Sequence, residues 1–216
     1  MHPSPPLRHP HRAWGLVLVS VVAGAAMAWP YAGLDVGASR LPVSGGLHYG
    51  LLVAHVATAL VALVLGPFQF VPAVRARRPV HRALGRTYLL LGVVPAALTG
   101  IPVALLSGRL VTQVGLVVPA VLWLVTGALA VRAIHRGDVE AHRSWMLRNY
   151  ALTFLAVTAR LLVPAMVLVG AAQGAPIDVA GTIPRGQVLG WIVNLAVVEV
   201  LIRRRSRSGW RRPAAG

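Results

Sequence analysis

Six runs of apolar residues, each long enough to cross a lipid bilayer, dominate this sequence and leave little else to fold. They lie at about residues 13 to 32, 48 to 71, 84 to 107, 110 to 134, 146 to 171 and 187 to 202. A membrane helix takes roughly 20 apolar residues, so six of them use about 120 positions. The remainder of the 216 residues makes short connections and two tails, with no room for a sizeable soluble domain. Composition agrees, because 56% of the residues are hydrophobic and only 12% charged, about half the usual charged share. The chain reads as an all-α polytopic membrane bundle of six helices. A basic N-terminal tail (1–12) precedes the transmembrane domain (13–202), and a basic C-terminal tail (203–216) follows it. That last tail reads as a disordered strip able to touch anionic lipid headgroups.

All 21 basic residues are arginine, against five acids, for a formal charge of +16. Such a balance first brings nucleic acid to mind, but a nucleic-acid binder gathers its cations on one face of a folded domain. Here they fall in short clusters between apolar runs, the pattern of membrane topology. Arg8 and Arg12 precede the first span, and Arg75, Arg77, Arg78, Arg82 and Arg86 surround the connection between spans two and three. Arg132, Arg136, Arg143 and Arg148 surround the connection between four and five. The tail adds Arg203, Arg204, Arg205, Arg207, Arg211 and Arg212, while Arg40, Arg109 and Arg185 are alone on the other side. Both termini are therefore expected in the cytoplasm.

The first span has a rival reading as a cleaved signal peptide, with a basic start and the small-residue run Ala26-Met27-Ala28. The retained helix is the reading adopted, with Trp29, Pro30 and Tyr31 as an aromatic anchor at the outer interface. With no cysteine, disulfides, iron-sulfur clusters and Cys-zinc sites are excluded. No phosphate-cradling loop, nucleophile elbow, paired intramembrane carboxylates or His-Glu-x-x-His helix is present, which argues against a hydrolase, a kinase or a nucleotide-driven pump and leaves enzyme status open.

His81-Arg82, Arg86 and Tyr88 are echoed by His142-Arg143, Arg148 and Tyr150 with one extra residue. Spans two-three and four-five then read as hairpin repeats of the kind some transporters use, or as a coincidence of arginine-rich loops. These stretches also carry a resemblance. Gly66-Pro67-Phe68-Gln69-Phe70, His81 to Tyr88, His142 to Leu152 with Arg160 after it, and Asn194 with Glu199 together resemble the bacterial predicted-membrane-protein family called domain of unknown function 2306. The resemblance spans roughly residues 48 to 202. It implies a multi-pass protein of the bacterial inner membrane and brings no reaction with it.

Polar residues at membrane depth supply the site candidates, since an ionisable side chain there costs about 2.5 to 3.5 kcal/mol on insertion scales. At 1.5 Å per residue, Arg160 lies roughly 16 Å, His55 about 12 Å and Asn194 about 10 Å inward from the outer ends of their spans. The three are expected to meet in a buried outer-leaflet pocket for an anion, a quinone head or a transported solute; the alternative is a structural arginine that ties helices together. Pro164 cannot donate to the carbonyl of Arg160, so a kink and a free acceptor are expected there. Pro67, Pro95, Pro102 and Pro119 interrupt other spans, which suits alternating access as well as static bundles.

His48, His55, Ala59, Ala62 and Gly66 share one face of span two. That face reads as a close-packing stripe or as room for a porphyrin. Histidines at the inner end, His81 and His142, are candidates for the axial pair of a single b-type haem; no second histidine faces His55, so a second haem is not expected. His81, Arg82, Arg86, Tyr88, His142, Arg143, Arg148 and Tyr150 form the cytoplasmic cluster, otherwise explained by topology and headgroup contact. Glu199 is the only acid in the spans, with Arg203 as a helical partner and Arg82, Arg86 or Arg148 within reach. Asp138 and Glu140 read as solvated partners of arginines, while Asp35 and Asp178 carry no signal. The functional expectation is a small-ligand-binding or transport protein of the membrane, with a single-haem electron carrier and a structural or partner-binding subunit as alternatives.

Overall fold

A computed structural model of the chain describes residues 10–39 and 43–209. Arg8, Arg40, Arg211 and Arg212 of the charge pattern lie outside them. Every regular element among the described residues is helical. Six helical stretches among the described residues are long and apolar enough to cross a membrane: Ala13–Tyr31, Gly46–Phe70, Arg78–Leu105, Leu110–His135, Leu155–Ala172 and Val179–Arg205. The chain divides into two compact units, Met1–Ser107 and Gly108–Gly216.

In the first unit, α1 (Pro10–Ala28) lies against α2 (Gly46–Leu65). Gly24 permits the approach, because a Cβ there would come within 2.5 Å of Leu60 Cδ1. Trp14 meets Phe68 edge-on with ring centroids 6.1 Å apart. A turn at Pro67–Phe70 and the short α3 (Pro72–Ala76) lead into the third span. That span is a composite of α4 (Arg78–Thr87), a π-helical turn (Tyr88–Val93) and α5 (Val94–Leu105). The helix begins six residues before the apolar run because its first turns, with Pro79 in the opening positions where no N–H is missed, are polar. The wide turn precedes Pro95, which cannot serve the Leu91 carbonyl; the Val94 N–H reaches back five residues to the Leu89 carbonyl instead.

The aromatic anchor expected at Trp29–Tyr31 divides its duties. Trp29 is 79% exposed, whereas Tyr31 is buried with Tyr49 and Leu52 in the core of the unit's far end. The Tyr49 hydroxyl donates to the Asp35 carbonyl at 2.9 Å, tying the long connection down over α2.

In the second unit, α6 (Leu110–His135), α7 (Val139–Thr153), α8 (Leu155–Ala172) and α9 (Val179–Gly209) pack together. The apolar stretch expected as one span from 146 is split at Phe154, which separates α7 from α8. Each unit therefore holds a helix whose geometry changes just after its motif tyrosine, at the π turn beginning with Tyr88 and at Phe154 after Tyr150, and both tyrosines are buried. α9 meets α8 through Gly186 and Gly190, a Gly-x-x-x-Gly spacing that lets backbones approach. The strip from Arg203, expected to be disordered, continues as helix to Gly209. Arginine is a good helix former, and cations suit a helix C-terminus.

Candidate functional site

The small-residue stripe of α2 is a packing surface. A Cβ on Gly92 would lie 2.9 Å from both the Cβ and the backbone N of Ala62, so the face is closed at that level and leaves no space there for a flat ring. One and two turns along, Ala96 and Gly100 make a slot for His55. The Nδ1 of His55 is 2.8 Å from the Ala96 carbonyl, and a Cβ on Gly100 would come within 2.6 Å of that nitrogen. Since a carbonyl only accepts, Nδ1 carries the proton and Nε2 the lone pair. His48, a face-mate of His55, is buried at the start of α2 and accepts from the Ser44 N–H at 3.1 Å.

At the arginine-rich end of the first unit, the Gln69 side chain is buried beside Gly85, whose Cβ position would be 3.4 Å from the Gln69 Oε1. Tyr88 is fully buried one turn later and His81 is half-buried one turn earlier. Arg82 and Arg86 are exposed on α4.

In the second unit, Glu199 of α9 accepts two hydrogen bonds from Arg148 of α7, with Nη2 to Oε2 at 3.0 Å. The guanidinium also lies over the Trp145 ring, 4.6 Å from its centroid. Arg148, one of the partners expected to be within reach, thus holds Glu199 by paired bonds. Arg143 is exposed on the same helix. His142 Nδ1 donates to the Ala130 carbonyl of α6 at 2.9 Å, again directing Nε2 away.

Asn194 is committed to packing: its Nδ2 donates to the Ala151 carbonyl at 2.9 Å and its Oδ1 accepts from Thr158 Oγ1 at 2.8 Å. Arg160 is exposed on α8, and its Nη1 turns back to the Ala156 carbonyl at 3.0 Å. The guanidinium is therefore on the surface of the helix and not in an enclosed pocket of the unit. An open apolar groove of about 360 Å³ on α8, lined by Leu162, Ala165, Met166, Val169, Gly170 and Gln173, does not include it. His55 belongs to the first unit.

Three acids cap helical segments. Asp138, expected to be solvated among arginines, is exposed and caps α7 by accepting from the Ala141 N–H at 2.9 Å. Asp178 accepts from the Gly181 N–H at 2.8 Å and so caps α9. Asp35 accepts from the Gly37 N–H at 2.8 Å in its own turn. Each follows from the orphan donors that open a helical segment.

Sequence reasoning missed a buried polar network between α6 and α7. Asn149 is fully buried and donates to the Trp123 carbonyl at 2.7 Å and to Thr126 Oγ1 at 2.9 Å. Trp123 Nε1 donates to Thr153 Oγ1 at 3.0 Å. The signal was present as Trp123 with Thr126 and Asn149 with Thr153, at the three- and four-residue spacings of shared faces. Among the described residues, no group of three or more His, Cys, Asp or Glu side chains is placed to hold a metal ion.

The model of a family described as "Predicted membrane protein (DUF2306)" matches residues 52–202, from the second span to the last. No curated protein and no solved structure matches the chain.

Proposed function

We propose that this chain, which belongs to the DUF2306 family of predicted membrane proteins, binds or carries a small ligand with an anionic or strongly polar head at Arg160. One observation carries the reading: an exposed guanidinium sits twelve residues from the Ala172 end of α8, about 18 Å along the helix. A charge at that depth is costly and marks a functional position by default. The guanidinium is exposed on α8, so an anion or polar oxygen from outside the chain can reach it. A planar guanidinium suits carboxylate, phosphate or quinone oxygen.

The arginine distribution supports a bacterial inner-membrane location with both termini cytoplasmic, which puts Arg160 in the leaflet-crossing part of the fifth span. Thermal-shift measurements on detergent-purified protein with oleate, a ubiquinone analogue and tetraphenylborate test the binding. At least one probe is expected to raise the melting temperature of the wild type and to leave Arg160→Leu unmoved. A panel with no effect on the wild type, or with equal effect on both proteins, rejects the reading.

A second reading, a single b-type haem, has the support of His142. An imidazole whose Nδ1–H is held by a carbonyl, here that of Ala130, presents Nε2 in the way metal-ligating histidines do. A Soret band after haem-replete expression that disappears in His142→Ala is the expected result; a colourless protein rejects it.

A further inference from the structure

α9 carries Gln187, Trp191 and Asn194 at the i, i+4, i+7 spacing that stacks side chains along one face. The neighbours of that face fix where it points. Gly186 and Gly190 lie against α8, where added Cβ atoms would come within 2.4 Å of Val163 Cγ2 and 2.9 Å of Leu155 Cδ1. Val188 lies against α6, its Cγ2 2.8 Å from the Cβ position of Gly115. Gln187 and Trp191 occupy the arc between these two contacts, while Leu189, Ile192 and Val193 are exposed on the opposite arc. The polar face therefore looks into the interior of the second unit, between α6 and α8.

Asn194, at the lower end of the face, is satisfied by Thr158 and the Ala151 carbonyl. One and two turns toward Val179 the situation reverses. Trp191 Nε1 and Gln187 Oε1 are both sealed from the surroundings and make no hydrogen bond. Bulk water does not reach either atom, and native interiors leave few buried polar atoms unpaired. The glutamine amide can turn over and present N–H in place of oxygen, but the indole can only donate. The indole N–H thus needs an acceptor whichever way Gln187 is turned.

We propose that the interior of the second unit holds a small hydroxylic molecule, either water or the hydroxyl of a polar solute, bridging Trp191 Nε1–H and Gln187 Oε1. An O–H group accepts from the indole through a lone pair and donates its proton to the amide oxygen, which satisfies both atoms at once. This site is independent of Arg160, which lies on an exposed face of α8.

Proton NMR of ¹⁵N-tryptophan-labelled protein in lipid nanodiscs tests it, with the Trp191 indole signal assigned by its loss in Trp191→Phe. The indole proton is expected downfield, at a hydrogen-bonded position. A cross-peak to the water resonance identifies bound water, and one to carbon-bound protons that survive dialysis identifies a solute. Gln187→Met, which keeps the side chain's length and removes its acceptor, is expected to move the indole proton upfield and weaken the cross-peak. An indole proton at the unbonded position with no cross-peak in the wild type overturns the proposal. So does a signal that Gln187→Met leaves unchanged.

Discussion

Arg148 and Glu199, fifty-one residues apart in sequence, join α7 to α9 by two parallel hydrogen bonds at the arginine-rich end of the second unit. The fork geometry matches guanidinium to carboxylate, and Trp145 covers the guanidinium from one side. The pair is partly exposed, at 22% and 35% of the two side chains, so its contribution falls between those of surface and buried ion pairs.

Breaking this pair from either side is expected to destabilise the fold by about 1–3 kcal/mol. Arg148→Leu leaves a partly buried carboxylate and Glu199→Leu a partly buried cation, whereas the double variant leaves neither, so the double change is expected to cost less than the sum of the two single ones. A double-mutant cycle read by thermal unfolding in detergent measures the coupling. Strict additivity would show that the contact contributes nothing.

Gly100 and His55 are predicted to be coupled in the same way. Gly100→Ala drives a methyl group into the imidazole and displaces it from the Ala96 carbonyl, an overpacking expected to cost about 1–3 kcal/mol. His55→Ala removes an interhelical hydrogen bond expected to contribute about 0.6–2 kcal/mol. With His55 already truncated, Gly100→Ala should do little further harm, because the atom it strikes is gone.

Two glycines of the first unit should respond with opposite sign to the same change. Gly92→Ala places its Cβ against the backbone of Ala62, where no flexible side chain can yield, and should lower the melting temperature by several degrees. Gly50, exposed on α2 with nothing within 4 Å of its Cβ position, should be stabilised by about 0.5–1 kcal/mol as alanine. Equal responses would mean that the close approach of Gly92 to Ala62 does not exist.

Asn149→Leu should cost about 1–3 kcal/mol, because it leaves the buried Trp123 carbonyl and Thr126 hydroxyl short of a donor. Asn149→Asp should not rescue it, since an ionised carboxylate has no N–H to offer. Unfolding curves of the three proteins decide the matter, and a fully stable aspartate variant would count against the assigned direction of these bonds.

The spans were legible because an uninterrupted apolar run of about 20 residues has few fates besides crossing a bilayer. Side-chain partners were harder to read. Asn194 and Arg160 lie at similar depths, yet one faces a neighbouring helix and the other an exposed surface, a difference of rotation about the helix axis that membrane apolarity hides by making every face hydrophobic. Glu199 had several arginines within reach, and only the packing of α7 on α9 selects Arg148. The π turn at Tyr88–Val93 left no composition signal beyond Pro95. The packing reading of the small-residue stripe, by contrast, followed directly from the absence of side-chain bulk at Ala59, Ala62 and Gly66, although the sequence did not name Gly92 as the partner of Ala62.

The partition at Ser107 has a consequence for biosynthesis. His48, Tyr49, His55, Thr58 and Thr99 all find hydrogen-bond partners within the first 107 residues. A nascent chain leaving the ribosome can therefore bury these groups before the second half has been translated, and the translocon need not shelter them while it waits.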